Sequence, residues 1–196
     1  MKPIELIPLS RANLKRLERL ALSLTHVFQT PCRVQPQPMD IAFAFDPLRG
    51  QYHSTAILRK LAENPNGSRI LGVAPCDLYV PVLTFVFGEA QVEGDCAVVS
   101  TARLREEFYG LPPREDLLHE RLLKEAVHEL GHTFGLRHCD NWQCVMASSY
   151  AVERIDVKDA DFCSPCRRWI VGQRSSAPQD AHFSTISART TPSSLS

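Results

Sequence analysis

Five residues from His128 to His138 have the types and spacing of a catalytic metal site. His128 and His132 lie four residues apart, so a helix places both imidazoles on one face, where they can bind one ion. Glu129 then lies beside that ion, where its carboxylate can take a proton from an activated water. Gly135 suits the left-handed backbone that ends a helix, which lets His138 return as a third ligand. Three ligands and one open position indicate a catalytic zinc.

A second group follows at once and consists of cysteines: Cys139, Cys144, Cys163 and Cys166. Two short-spaced pairs of this kind can close a tetrahedral, structural four-thiolate zinc site. Because Cys139 directly follows His138, whatever fixes the cysteine cluster also fixes the last histidine. Two disulfides and an iron–sulfur cluster are alternatives, although a plant-type cluster uses a different spacing. The sequence therefore predicts two Zn²⁺ ions per chain, one catalytic and one structural.

The run H-E-L-G-H-T-F-G-L-R-H with the later Met146 resembles the metzincin metallopeptidases. The four cysteines resemble those of the archaemetzincin branch, whose members carry a second zinc held by four cysteines. The resemblance covers about residues 70 to 170. It implies that His128, His132 and His138 bind the catalytic zinc and that Glu129 is the general base. It also implies that Met146 forms the methionine turn beneath the zinc.

The order of strands and helices that must position these residues predicts an α/β fold with helices packed on a mixed, twisted sheet. The resemblance implies that this fold is a metzincin-like zincin domain. Helices are expected at residues 10–28, capped by Ser10, and after a cap at Ser54. Strands are expected at residues 4–9, 32–34, 41–45, 70–74, 83–92 and 97–100. Gly94 and Asp95 make a tight connection, so the last two strands should pair antiparallel.

The segment 87–92 corresponds, by the same resemblance, to the edge strand that lies along a metzincin cleft. An exposed edge can pair with an extended peptide substrate. The alternative is a half-buried strand without a partner. After it, Pro112 and Pro113 followed by acidic residues indicate the start of the catalytic helix. Its apolar residues predict burial on nearly all sides.

Length and composition indicate one catalytic domain over residues 1–173 and a Ser/Thr-rich tail, expected to be disordered, over residues 174–196. The net charge is zero, with 22 basic and 22 acidic residues, so nothing favours a nucleic-acid or membrane-surface partner. The sequence offers neither a secretory leader nor an apolar run long enough for a membrane span. The cysteine count of seven is odd, and Cys32, Cys76 and Cys96 lie outside the cluster without a pairing pattern, which favours a reducing, cytoplasmic location. A monomer is expected.

The predicted function is that of a hydrolase, a zinc metalloprotease that cleaves peptide or protein substrates, with aminopeptidase action as one form of it. The alternative is a non-catalytic, zinc-stabilised interaction domain with a vestigial cleft. The intact Glu129 argues against that alternative, because a structural site needs no base. Tyr150 is a weak candidate for a second oxyanion donor, and a packing role for it is favoured. The substrate and its side-chain preference stay open.

Overall fold

The chain forms a mixed α/β structure, described here as a computed structural model over residues 1–63 and 66–175. Its strands are β1 (Ile4–Pro8), β2 (Cys32–Val34), β3 (Phe45–Asp46), β4 (Gln51–His53), β5 (Arg69–Ala74), β6 (Leu78–Tyr79), β7 (Gly88–Ala90) and β8 (Cys96–Ser100). Its α-helices are α1 (Leu14–Phe28), α2 (Ser54–Ala62), α3 (Glu115–Thr133), α4 (Val152–Val157) and α5 (Ser164–Ser175). Short 3₁₀ helices lie at Ala42–Ala44, Ala102–Leu104 and Glu106–Tyr109.

The central sheet has five strands in the order β2-β1-β5-β8-β7. The first four are parallel to one another, and β7 pairs antiparallel with β8 in the register Glu89 to Val98. The predicted mixed sheet and the antiparallel pairing of its last two strands are therefore confirmed. Strand β7 ends the order, so its outer edge faces no further strand among the residues described.

Two apolar cores lie on opposite faces of this sheet because successive strand residues point to opposite sides. In β8, Ala97 and Val99 pack with α1 and α3, whereas Cys96 and Val98 pack with α2. The fold therefore has three layers, and the helix that carries the histidines packs flat against β8. Residues 124 to 131 of that helix are all buried, which confirms the expected burial on nearly all sides.

A glycine bend ends α3. Gly135 has a φ of 86°, a value that favours glycine. Its N–H donates to the carbonyl of His132 at 2.9 Å, and the N–H of Leu136 donates to that of Gly131 at 3.2 Å. This pair of bonds is the Schellman arrangement, which satisfies the last carbonyls while it turns the chain away from the helix axis. The predicted role of Gly135 is confirmed.

The predicted strand at residues 83–92 is wrong in its first half, since only β7 pairs with the central sheet. The N–H of Leu83 donates to Val80 O in a turn, and that of Val86 donates to Leu78 O. These bonds hold residues 83–86 beside a small second sheet of β3, β4 and β6, whereas Phe87 O already accepts the Ser100 N–H of β8 at 2.8 Å. The strand expected at residues 41–45 is likewise mostly the 3₁₀ helix Ala42–Ala44. In both places an apolar run packs without regular strand pairing.

The predicted helix caps are wrong at both Ser10 and Ser54. The side chain of Asn13 caps α1 and accepts the Arg16 N–H at 3.2 Å, while Ser10 has a φ of 51° in the preceding turn. Ser54 is the first residue of α2, and its hydroxyl donates to Tyr79 O at 3.1 Å instead of capping the helix. Ser54 does not cap α2 because its hydroxyl bonds to a distant backbone carbonyl. Ser10 does not cap α1 because it lies in the turn before the helix begins.

At the C-terminus, α5 runs to Ser175, past the boundary expected at residue 173. The rest of the predicted tail, residues 176–196, lies outside the described residues. Across the described part of the chain, none of the helices combines the length and the apolar character that crossing a membrane requires.

Candidate active site

The three predicted histidine ligands converge at one point. One ring nitrogen from each of His128, His132 and His138 lies within 4.8 Å of the other two. The ring centres are 4.7 to 5.3 Å apart. His128 and His132 reach this point from α3, and His138 reaches it from the chain beyond the Gly135 bend.

Hydrogen bonds at the far side of two rings fix their tautomers. His128 Nδ1 donates to Val145 O and His132 Nδ1 donates to Leu136 O, each at 2.8 Å. In a neutral ring the Nε2 atom then carries a lone pair. These two Nε2 atoms lie 3.1 Å apart, where two lone pairs repel each other and a shared cation would be bound by both. Tetrahedral zinc with ligands at 2.0–2.1 Å separates nitrogens by about 3.3 Å, so the donor set fits that ion.

The surroundings of His128 and His132 favour the neutral form of their imidazoles. Burial lowers the pKa of His128 well below its usual range, and Lys158 and His132 lower it further. Burial also lowers the pKa of His132, which its hydrogen bond to Leu136 partly offsets. Neutral imidazole is the form that binds metals, so these directions favour a metal over two protons.

Glu129 lies beside the histidine cluster and is only 6% exposed. Burial raises its pKa well above the usual range, Glu125 raises it further, and Lys158 lowers it. Strand β7 lies in close contact with the Glu129 side chain, since a Cβ on Gly88 would be 2.6 Å from both Cγ and Oε1 of Glu129. Gly88 is therefore a contact residue of the site that the sequence motif did not reveal.

A cleft of about 480 Å³ opens above these groups. One wall is the segment 83–88, the floor includes Glu125, His128 and Glu129, and the other wall is the segment 148–150. Tyr150 lines this cleft and is 76% exposed, and the Arg154 guanidinium lies 5.9 Å from the centre of its ring. A larger groove of about 770 Å³ is lined by residues of α1, α3 and α5 and of the segment 160–161, and none of the candidate metal ligands lines it.

Met146 lies fully buried under α3. A Cβ on Gly131, one helical position before His132, would collide with its sulfur, so the glycine allows the methionine to approach the helix. Neighbouring backbone groups secure this turn, since Met146 O accepts the Cys139 N–H at 3.0 Å and Val145 O accepts from His128. Met146 thus packs against the helix that carries His128 and His132, in agreement with the methionine turn that the resemblance implies.

The four predicted cysteines also converge, with their Sγ atoms within 4.8 Å of one another. The Sγ atoms of Cys139 and Cys163 are 3.8 Å apart, and zinc–sulfur bonds of 2.3 Å predict about that spacing in a tetrahedron. All seven cysteines are free, which contradicts the two-disulfide alternative. The donor set and spacing therefore fit a second zinc.

Burial raises the pKa of both Cys144 and Cys166. It acts the same way on Cys163, but hydrogen bonds from the Cys166 backbone N–H and from neighbouring thiols outweigh it, so the pKa of Cys163 is lowered. Four thiolates packed this closely repel one another unless a cation compensates their charge. The electrostatics of the cluster therefore agree with its geometry.

Lys158 is a second residue that sequence reasoning missed. It is 2% exposed, and its ammonium lies 2.8 Å from Oε1 of Glu125 and donates to Ala147 O at 3.3 Å. Glu125 precedes the motif by three residues, and its spacing on the helix was a usable signal, because residues three and four apart share a face. Nothing in the local sequence marks Lys158, since its partners are distant along the chain.

The helix that bears H-E-x-x-H packs on a mixed sheet. A third histidine follows it beyond a glycine bend, and a buried methionine packs against it. Together these features define a metzincin-type metallopeptidase. Comparison with known proteins agrees. The sequence model of peptidase family M54 matches residues 39–171. The archaemetzincin of Methanocaldococcus jannaschii is 46% identical over 135 residues, covering 69% of this chain and 74% of that one.

Two solved structures are similar over nearly their whole length. A zinc-dependent peptidase from Methanocorpusculum labreanum superposes with a TM-score of 0.79 at 32% identity, covering 86% of this chain and 100% of that one. The archaemetzincin of Archaeoglobus fulgidus, complexed with malonate, gives a TM-score of 0.75 at 40% identity, covering 86% and 99%. The chain belongs to peptidase family M54, the archaemetzincin metallopeptidases, which confirms the family and the fold class predicted from the sequence.

Proposed function

We propose that this metallopeptidase hydrolyses peptide bonds with one catalytic zinc held by His128, His132 and His138 and with Glu129 as general base. The observation that carries the proposal is the pair of Nε2 atoms 3.1 Å apart, in rings whose Nδ1 atoms bond to backbone carbonyls, next to the buried carboxylate of Glu129. Such an arrangement is costly to a protein unless a cation occupies it. The zinc dependence named for the Methanocorpusculum labreanum protein supports the choice of metal.

Zinc bound there would supply a Lewis acid that lowers the pKa of water toward neutrality and polarises the scissile carbonyl. The Glu129 carboxylate accepts a proton from the attacking water and then donates it to the leaving amine. Its burial suits the second task, because a carboxyl with a raised pKa holds a proton longer than an exposed one does. Strand β7 lies against this carboxylate at Gly88, so little space remains on that side of it.

The cleft walls suggest how a peptide binds. Strand β7 has an outer edge next to the histidines, and an extended peptide can add to it as a further strand. The Glu89 carboxylate accepts from Thr55 Oγ1 at 2.8 Å and from Ser54, which ties this edge strand to α2. On the opposite wall, the exposed Tyr150 hydroxyl is the candidate second donor to the developing oxyanion.

We assign the second zinc to Cys139, Cys144, Cys163 and Cys166, where it would hold the chain beyond the helix in place. Because Cys139 follows His138, the position of the third histidine depends on this cluster. The metal-binding roles of all seven residues, a monomeric state and the cytoplasmic location expected from the free thiols stay predictions.

The Glu129→Gln variant tests the general base. It keeps the shape and burial of the side chain but cannot accept a proton. Turnover of peptide by the zinc-loaded protein is expected to fall by about 10²–10⁴-fold, the usual contribution of general acid–base catalysis, with zinc still bound. Turnover equal to that of the wild type would overturn the assigned base. An inert wild type with both zinc sites filled would instead favour the interaction-domain alternative.

We extend the proposal to aminopeptidase action, which is tested with matched peptides that have free and acetylated N-termini. Cleavage of the free peptides one residue at a time, with the acetylated ones intact, is expected. Cleavage of both within the chain would show endopeptidase action and leave the metal and base assignments standing.

A further inference from the structure

A buried ion pair lies beside the proposed active site, at Lys158 and Glu125. Their charged atoms are 2.8 Å apart, and their side chains are 1% and 4% exposed. Lysine and glutamate are almost never this buried unless they are paired. Replacing such a pair with apolar residues of similar size is often neutral or stabilising, so stability alone is a weak reason for its presence.

The pair joins the two pieces of backbone that orient His128. Glu125 lies on α3, three residues before His128 and four before Glu129, so all three side chains share one helical face. The Lys158 ammonium also donates to Ala147 O, in the turn that follows the helix bend. Two residues earlier in that turn, Val145 O accepts the Nδ1 proton of His128.

The backbone around Lys158 runs along the same turn. The N–H of Asp159 donates to Gln143 O at 2.8 Å, and Asp161 O accepts the Val145 N–H at 3.0 Å. Lys158 therefore projects from a segment already bonded to the turn, and its ammonium reaches across to α3. The partner Glu125 matters electrostatically as well, because an ammonium without a carboxylate would repel a cation held by the histidines.

We propose that Lys158 and Glu125 form a clamp that fixes residues 145–147 against α3 and thereby holds the His128 ring at its working orientation. Both are positioning residues, since they act on the reacting groups through Val145 and His128. The inference rests on the proposed function, because it assigns part of the same site. It predicts that the clamp controls metal affinity and turnover separately from stability.

The test compares Lys158→Met with Lys124→Met. Lys124 is a similarly buried lysine on α3, but it pairs with Glu120 and donates to Asp156 O instead of to the 145–147 turn. Zinc affinity, kcat, KM, the melting temperature and the visible spectrum of the cobalt-substituted protein are measured for each. For Lys158→Met, zinc affinity and kcat are expected to fall about 10- to 100-fold, as is usual when support of a ligand is lost, with KM nearly unchanged and the cobalt spectrum shifted. Lys124→Met is expected to change only the melting temperature.

The double variant Glu125→Gln/Lys158→Met keeps the test decisive if the single variant does not fold. Removing both charges leaves no unpaired buried carboxylate, so the melting temperature is expected to recover relative to Lys158→Met. Zinc affinity and kcat should stay low, because the clamp is still missing. Wild-type values of both in the double variant would overturn the proposal, as would a wild-type cobalt spectrum in Lys158→Met. A wild type that binds cobalt but cleaves no peptide would refute the proposed function while the spectrum still decides the clamp.

Discussion

Gly88 offers the sharpest structural test of how the edge strand and the base are fitted together. In Gly88→Ala the new Cβ would lie 2.6 Å from Glu129 Cγ, Glu129 Oε1 and Val98 O. Ordinary contacts begin at 3.4 Å, so neighbouring atoms must separate by about 0.8 Å. Val98 O belongs to the paired strand β8 and yields little, which leaves displacement of β7 or of the Glu129 side chain.

Either displacement disturbs the reacting groups. A misplacement of about 1 Å can cost roughly 10²-fold in rate, so kcat of Gly88→Ala is expected to fall about 100-fold. Overpacking of this kind costs about 1–3 kcal/mol, so the free energy of unfolding should fall by that amount. Zinc content is expected to stay at the wild-type value, because neither shift has to move the histidines.

The measurements are steady-state peptide hydrolysis, urea unfolding and zinc content. Gly172→Ala is the matched control: it lies on α5, has no atom within 4 Å of its added Cβ, and should gain about 1 kcal/mol of stability from helix propensity with unchanged kcat. Wild-type kcat and stability in Gly88→Ala would refute the close fit of β7 on Glu129.

Three further predictions concern the cysteine site, the base and the helix end. Cys163→Ser should lose one of two zinc equivalents and lower kcat, as checked by elemental analysis with peptide assay; loss of neither or both equivalents contradicts two separate sites. In metal-free protein, Glu129→Gln is expected to have a higher free energy of unfolding than the wild type, and this difference should grow as pH rises above about 4.3. Burial raises the pKa of Glu129 in the folded state, so ionisation of this carboxyl destabilises the wild-type fold, whereas glutamine does not ionise. Urea unfolding across pH measures this, and a constant difference speaks against it. Arg69→Met removes the guanidinium that donates to Thr133 O and Gly94 O at 2.7 Å each. The free energy of unfolding, measured by chemical denaturation, should fall by about 1.5–3 kcal/mol, and an unchanged value would show these bonds to be dispensable.

The metal clusters could be predicted from the sequence because their chemistry depends on local spacing. His128 and His132 need only a helix, and Gly135 needs only a helix end, so four to ten residues of sequence contain the information. The two cysteine pairs are similarly local, although bringing them together required the fold. The glycine bend was predictable for the same reason, since a φ of 86° excludes most other residues.

What the sequence did not reveal depends on contacts between distant segments. Lys158 acquires its role only when the chain after α4 returns beneath α3, and Gly88 acquires its role from contact with Glu129. The strand predicted at residues 83–92 failed for a related reason. Its apolar side chains indicate burial but do not say which backbone groups find a strand partner, and residues 83–87 wall the cleft instead.

Anomalous diffraction at the zinc absorption edge, from crystals of the purified protein, tests the central claim most directly. Two peaks per chain are expected. One should lie about 2.0–2.1 Å from a ring nitrogen of each of His128, His132 and His138, and the other about 2.3 Å from the four sulfur atoms of the cysteine cluster. A histidine cluster without a peak in zinc-loaded crystals, or one ion shared by histidine and cysteine ligands, would contradict the account.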